Sequence, residues 1–172
     1  SFAAVQNCLS NSISSNLCHL TSLQALALDG LKTANDCQSL LISRYVKTYS
    51  LESHTVRIPS CLFNLPKLNT LHLSGNNIVC NLNDVTIGPA LTDLSLSYNH
   101  LTGTIPESIQ GRQGWRNLDL SHNKFTGVLS QNLSFASVNT NIHLDVNRLS
   151  GNIPKVFSKI TEGSVSLLNS NI

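Results

Sequence analysis

Apolar residues recur along this chain in one fixed arrangement, in which leucine positions and a single asparagine are separated by polar residues. Four segments fit L-x-x-L-x-L-x-x-N-x-L, and they begin at Leu68, Leu91, Trp115 and Asn139, so the arrangement returns after 23 or 24 residues. The alternation within L-x-L is typical of a strand with one buried face. A fixed period of this length indicates a repeat protein.

The same spacing continues outward from these four segments, although less regularly. A partial match begins at Leu23, and the segment at Phe2 enters the pattern at its fourth position. Near the other end a match begins at Gly163 and places Asn171 in the asparagine position, 24 residues after Asn147. The repeat therefore accounts for nearly the whole chain, and we expect one domain over residues 1–172 with about seven turns.

The interval between Leu31 and Pro59 fits the pattern poorly. One interpretation is an irregular repeat that begins near Val46, with apolar side chains of the interval pointing inward. The other is an insertion loop over roughly residues 32–48. Both explain an irregular region at about residues 32–57, and the sequence leaves the choice open.

One strand of the repeat cannot bury its leucines alone, so successive repeats are expected to stack and to continue one core. The asparagine of each repeat then falls into one column, where a side chain that both donates and accepts hydrogen bonds can satisfy backbone groups of two adjacent turns. We expect this column to be a structural ladder. Its predicted members are Asn7, Asn76, Asn99, Asn123, Asn147 and Asn171.

The second half of the repeat is also patterned. Gly103, Gly127 and Gly151 lie in register, and Ile-Pro follows the first and the last of them. Glycine permits a tight backbone path, and proline suits an extended segment. Two positions depart from this pattern, because Cys80 takes a glycine position and Ser130 a proline position.

These motifs resemble the plant-type extracellular leucine-rich repeat family, whose consensus continues with L-x-G-x-I-P after the asparagine. The resemblance implies an α/β-type repeat solenoid that is curved and right-handed. It also implies a parallel sheet on the concave face, a second short sheet at the Ile-Pro segment and an irregular or 3₁₀ convex face. Members include receptor-like ectodomains, polygalacturonase inhibitors and some antifreeze proteins.

The ends of the chain differ from the family pattern. Terminal repeats need polar or disulfide-bonded caps, and the paired cysteine caps usual in the family are not recognisable here. The sequence also contains no Met. We therefore expect a window of a longer solenoid, with further repeats or partner chains at both ends.

The five cysteines match no zinc-binding spacing. Cys37 and Cys61 are the pair expected to approach on the convex side, and the alternative is that the cysteines are small buried thiols. The sequon Asn132-Leu133-Ser134 predicts a glycosylation site. The sequon, the cysteines and the family resemblance together favour an extracellular or cell-surface protein.

Composition excludes several classes of protein. Only 12% of residues are charged and the net charge is +2, which argues against a nucleic-acid-binding surface. A hydrophobic content of 41% argues against disorder, and no apolar run is long enough for a membrane span. The sequence contains no motif for a cofactor, a metal or a phosphate.

Polar side chains at the outward strand positions form the candidate site. A His–Asp–Ser set can be drawn from His72, Asp93 and Ser95, but no oxyanion turn accompanies it and an open sheet does not exclude water. We therefore predict a protein that is not an enzyme. The residues expected on the concave, ligand-binding face are His72, Asp93, Tyr98, Arg116, Asp119, His122, His143 and Asp145.

Such a surface suits a polar peptide, a glycan or a protein loop, and the leading hypothesis is a non-catalytic recognition module. Its histidines suggest that binding depends on pH between 5 and 7. The alternatives are a structural solenoid in an extracellular assembly and an inhibitor of a secreted hydrolase. Ice binding is less consistent with the sequence, because the side chains of the outward columns differ in charge and size.

Overall fold

The computed structural model describes residues 1–4, 13–30, 57–131, 133, 140–159 and 163–170. Within these ranges the chain forms ten short strands in two parallel sheets, together with 3₁₀ helices and one α-helical turn. The strands are β1 (Phe2–Ala3), β2 (Ala25–Ala27), β3 (Thr70–His72), β4 (Asp93–Ser95), β5 (Thr102–Thr104), β6 (Asn117–Asp119), β7 (Lys124–Val128), β8 (Thr140–His143), β9 (Arg148–Ser150) and β10 (Gly163–Ser166).

Seven strands, one from each turn, form the larger sheet in the order β1-β2-β3-β4-β6-β8-β10. All its pairings are parallel, and the central apolar residue of each strand lies beside that of the next. After Phe2 of the end strand β1, this column consists of Leu26, Leu71, Leu94, Leu118, Ile142 and Val165. Its first five members are at most 3% exposed, because stacking buries what a single strand leaves open. The solenoid architecture expected from the repeat is confirmed.

Strands β2 and β3 are direct neighbours in this sheet although they lie far apart in sequence. Leu26 pairs with Leu71, and each strand is in register with the other. The pairing leaves no place in the sheet for a strand between them. Residues 31–56 themselves lie outside the described residues.

The second sheet contains β5, β7 and β9 and is also parallel. The repeat glycines lie in or beside these strands with φ between 83° and 94°. At Gly127 a side chain would be strained by this left-handed backbone, and a β-carbon would lie 2.8 Å from the Thr104 methyl group. Where Cys80 replaces the glycine the sheet does not continue as a strand, and only an isolated bridge joins Asn81 to Thr102.

The opposite side of the solenoid is built from short helical segments. They are the 3₁₀ helices Ser15–His19, Ser60–Asn64 and Lys155–Lys159 and the helical turn α1 (Glu107–Gln110). Pro59 and Pro106 immediately precede two of them, where a missing N–H costs nothing. Trp115 closes the core near α1, since it is fully buried and its indole N–H donates to the Ile109 carbonyl at 3.0 Å.

A disulfide joins two of the 3₁₀ helices. Cys18 and Cys61 are bonded, with their Cα atoms 5.8 Å apart, so the predicted pairing of Cys37 with Cys61 was wrong. The physical reason is the stacking of β2 on β3, which places the helices that precede these strands side by side. Cys37 lies outside the described residues, and Cys80 carries a free thiol.

The asparagine column links successive turns. Asn99 is 4% exposed, and its side-chain oxygen accepts from the backbone N–H groups of Asn76 and Ile78 at 3.1 and 3.0 Å. Its amide nitrogen lies 3.0 Å from the carbonyl oxygens of Leu73 and Leu96, one in each turn. Asn123 and Asn147 repeat this arrangement, so each amide bonds to its own turn and to the preceding one.

The ends of the ladder differ from its centre. Asn7 and Asn171 lie outside the described residues. The register of β10 on β8 puts Ser170 beside Asn147, and the Ser170 hydroxyl donates to the Leu144 carbonyl at 3.4 Å. The position that spacing assigned to Asn171 therefore belongs to Ser170, because the last turn is one residue shorter than the 24-residue period.

Candidate functional site

The solvent-facing side of the seven-stranded sheet, here called the concave face, carries the side chains that alternate with the buried leucines. Strand pairing orders them into two columns, which are polar except for the two alanines of β2. One column contains Ala27, His72, Ser95, Asp119, His143 and Ser166, and the other contains Ala25, Thr70, Asp93, Asn117, Asn141 and Ser164.

The structure places four of the eight predicted residues directly in these columns, namely His72, Asp93, Asp119 and His143. The other four lie at the margins: Arg116 immediately precedes β6, and Tyr98, His122 and Asp145 follow their strands.

His72 is the centre of a polar group whose members come from three strands and from the residue Asp29 that follows β2. Its Nε2 lies 2.9 Å from Oδ1 of Asp93, and the same oxygen accepts from the Asn117 amide at 2.9 Å. On its other side, His72 Nδ1 is 3.9 Å from Oδ2 of Asp29. Asp29 is fixed in turn, because its Oδ1 accepts from the Ser74 N–H at 2.7 Å. The imidazole is therefore held between two carboxylates.

This arrangement changes the protonation of both partners. The hydrogen bond with Asp93 raises the pKa of His72 above its ordinary value, although burial acts in the opposite direction. Burial acts to raise the pKa of Asp93, but hydrogen bonds from His72 and Asn117 and the positive charge of Arg116 outweigh it, so this pKa is lowered. The pair therefore favours the imidazolium–carboxylate form over a wider pH range than isolated side chains would.

Ser95 does not complete a catalytic set with His72 and Asp93. Its hydroxyl lies 2.7 Å from that of Ser74, which also accepts from Ser97 at 3.1 Å. Both imidazole nitrogens of His72 face carboxylates. The described residues thus provide no base for the Ser95 hydroxyl, and this geometry suits a fixed polar surface better than nucleophilic chemistry.

An aromatic pair lies at the margin of the concave face. The rings of Tyr98 and His122 stack with centroids 4.0 Å apart and an interplanar angle of 12°. Both residues have a left-handed backbone, with φ of 54° and 52°, and Tyr98 remains 38% exposed. His122 Nε2 is 3.9 Å from Oδ2 of Asp145.

The remaining predicted residues are distributed along the sheet. Asp119 Oδ1 accepts from both the N–H and the hydroxyl of Ser121, at 3.0 and 2.7 Å. His143 Nε2 lies 3.3 Å from the Ser164 hydroxyl. Three strand steps separate His72 from His143, or about 14 Å, which is too far to share a metal ion. The described residues contain no group of three or more His, Cys, Asp or Glu placed to hold a metal.

The prediction missed two members of the His72 group, Asp29 and Asn117. Asp29 occupies the same repeat position as Asp145, so column alignment of the poorly matching Leu23 repeat would have found it. Asn117 could not be predicted in this way, because one outward asparagine is not distinctive in an asparagine-rich chain.

A cleft of about 360 Å³ lies away from the concave face, between the Ser60–Asn64 helix and the segment that contains Cys80. Arg57 and Asp84 contribute charges to its lining, and burial raises the pKa of the Cys80 thiol. A thiol with a raised pKa is a poor nucleophile.

Among the described residues, no helix has the length and apolar character needed to cross a membrane.

The family models that match the chain agree with this geometry. A model described as leucine rich repeat matches residues 66–125, and a second leucine-rich repeat model matches residues 115–136. Leucine-rich repeat models thus match residues 66–136 of the chain, in agreement with the leucine-rich repeat solenoid that the described residues form. A comparison with curated proteins found no match.

Several plant proteins are among the solved structures with the same fold. A plant ice-binding protein is 23% identical with a TM-score of 0.68 over 96% of this chain and 48% of its own. The ectodomain of the Arabidopsis receptor kinase HAESA, solved with an IDA peptide hormone, is 24% identical with a TM-score of 0.60 over 95% of this chain and 28% of its own.

A third structure, the BIR3–SERK2 complex from Arabidopsis thaliana, is 29% identical with a TM-score of 0.54 over 69% of this chain and 64% of the matched chain. The chain thus spans about half the length of the ice-binding protein and less than a third of HAESA. Similarities at 23–24% identity show a shared fold.

Proposed function

We propose that this protein is a non-catalytic recognition module of the secretory pathway, and that its concave face binds a peptide or a segment of another protein. The observation that carries this proposal is the polar face of the seven-stranded sheet, whose outward side chains on the central strands are half-buried and therefore still accessible. Polar side chains with fixed positions and unfilled hydrogen-bonding capacity suit the backbone and polar groups of an extended ligand.

Two further observations support the proposal. HAESA and the BIR3–SERK2 complex contain a bound peptide and a bound partner protein respectively, on solenoids of the same fold. The Cys18–Cys61 disulfide favours an extracellular location, because disulfides persist in oxidising compartments. The predicted sequon at Asn132, which lies outside the described residues, favours the same location. Neither a glycan ligand nor inhibition of a hydrolase has a specific observation in its favour.

The proposal is tested with a random peptide library displayed on phage and panned against the immobilised protein. Captured peptides are then measured against two variants of equal bulk, Asn117→Trp on the concave face and Thr102→Trp on the small sheet. Both positions are in strands, where tryptophan is tolerated. We expect Asn117→Trp to abolish binding and Thr102→Trp to preserve it, and the reverse result would exclude the concave face.

A further inference from the structure

The concave face differs in charge from the rest of the molecule. The described residues include six acidic and eight basic side chains. Four of the acidic ones, Asp29, Asp93, Asp119 and Asp145, lie on the concave face or at its margin, with Arg116 as the only described lysine or arginine there. With neutral histidines this face has a formal charge of −3, and with His72 as the imidazolium it has −2, whereas the other described side chains together have +5.

This separation of charge favours one kind of ligand. The chain as a whole is slightly basic, at +2, so the negative face is not a consequence of composition. A surface of one sign attracts ligands of the opposite sign and repels like charges, which affects both the association rate and the choice of partner. The concave face therefore discriminates in favour of positively charged segments.

Two of the carboxylates are held in place and remain available. Oδ1 of Asp93 accepts from His72 and Asn117, and Oδ1 of Asp119 accepts twice from Ser121. The Oδ2 atom of each carboxylate has no hydrogen-bond partner in the described part of the chain. A fixed carboxylate with one open oxygen loses little side-chain freedom on binding, so it is well prepared for an ammonium or guanidinium group.

The spacing of these carboxylates matches an extended peptide. Asp93 pairs with Asn117, so Asp119 lies diagonally across the parallel strand pair. A strand spacing of about 4.8 Å and a rise of about 6.6 Å over two residues separate the two Cα atoms by about 8 Å. Side chains two residues apart on an extended segment are separated by about 6.6 Å and point the same way. The exposed Tyr98 ring, stacked on His122, adds an aromatic surface for the aliphatic stem of a lysine or arginine.

We infer that the ligand of the concave face is an extended cationic peptide segment, with basic side chains at positions i and i+2 that bind Asp93 and Asp119. This inference rests on the proposed function, and it adds the charge of the ligand and the spacing of its recognition residues.

The experiment sequences the peptides selected from the same random library and measures their affinities for charge-neutralised variants. We expect selected peptides to be enriched in Lys or Arg two residues apart. Asp93→Asn and Asp119→Asn should each weaken binding at least about tenfold. The matched control Asp84→Asn removes an acidic side chain from outside the concave face and should leave affinity within about twofold, and thermal unfolding of every variant monitors folding.

The outcomes separate the two proposals. Neutral or acidic binders that Asn117→Trp still blocks would overturn the inference about charge and leave the recognition module intact. Basic binders with equal sensitivity to Asp84→Asn and Asp119→Asn would show non-specific attraction, which also overturns it. A library that yields no binder sensitive to Asn117→Trp would count against both. If Asp93→Asn unfolds the protein, Asp119→Asn still decides the result.

Discussion

Replacing Asn99 by alanine provides a direct test of the asparagine ladder. The substitution removes the acceptor for the N–H groups of Asn76 and Ile78, and it also removes the donor to three carbonyl oxygens. The side chain is 4% exposed, so water has little access to these groups. A buried group left without a partner costs roughly 1–3 kcal/mol. Two N–H groups, partly relieved by relaxation, should therefore lower the free energy of unfolding by about 2–4 kcal/mol.

Urea unfolding followed by tryptophan fluorescence measures this change. Trp115 is the single tryptophan and is fully buried, so its emission reports loss of the core. We expect a lower midpoint with an unchanged slope, because the native surface is nearly the same. The exposed Asn152 is a control in which alanine should change stability by no more than about 0.5 kcal/mol.

A second ladder residue makes the test more specific. Asn76 is also buried and donates to the Leu28 carbonyl at 2.7 Å, but its side-chain oxygen has no partner among the described residues. Asn76→Ala therefore leaves fewer backbone groups unpaired and should cost about 1–2 kcal/mol less than Asn99→Ala. Equal losses at both positions, or a loss at Asn99 no larger than at Asn152, would refute the reasoning from unpaired backbone groups.

Three further predictions follow from individual residues. Val146 has a left-handed backbone with φ of 54°, which is costly for a β-branched residue, so Val146→Asn should stabilise the protein by about 0.5–1 kcal/mol in urea unfolding. Replacing both Cys18 and Cys61 by serine should lower stability by about 2–4 kcal/mol and reduce the shift that a reductant causes in the wild-type unfolding midpoint. His72→Gln should be most destabilising at acidic pH. Because the pKa of His72 is raised, the protonated side chain contributes to the free energy of unfolding. This contribution is complete below the ordinary pKa of 6.5 and is lost as the pH rises through the folded-state pKa.

Each of these predictions has its own control. Val128 has no left-handed backbone, so Val128→Asn should not stabilise the protein. Cys80→Ser leaves the disulfide intact and should retain the sensitivity to reductant. The destabilisation by His72→Gln should decrease again at very low pH. The lowered pKa of Asp93 gives a contribution to the free energy of unfolding that is lost as the pH falls through the folded-state pKa of Asp93. A difference between wild type and His72→Gln that stays constant from pH 5 to 9 would contradict the role of the ion pair.

Column alignment of the sequence predicts much of the candidate site, because residues that occupy the same repeat position also share a column of the sheet. His72, Asp119 and His143 lie in one column for this reason. The contacts between columns are less predictable. The approach of His72 to Asp29 requires β2 to lie beside β3, and the sequence between these strands gives no repeat from which to infer it.

The sequence by itself determined the repeating unit and therefore the fold. Leucines such as Leu71 and Leu94, one period apart, must share one buried column, since an isolated strand cannot bury them. Tertiary structure decided the disulfide pairing and the last ladder position, because both depend on how turns of unequal length stack. The direct pairing of β2 with β3 selected Cys18 as the partner of Cys61, and the register of β10 put Ser170 in the ladder. Both outcomes depend on which backbone segments form hydrogen bonds between turns. Where the repeat is interrupted, counting residues along the chain does not predict these hydrogen bonds.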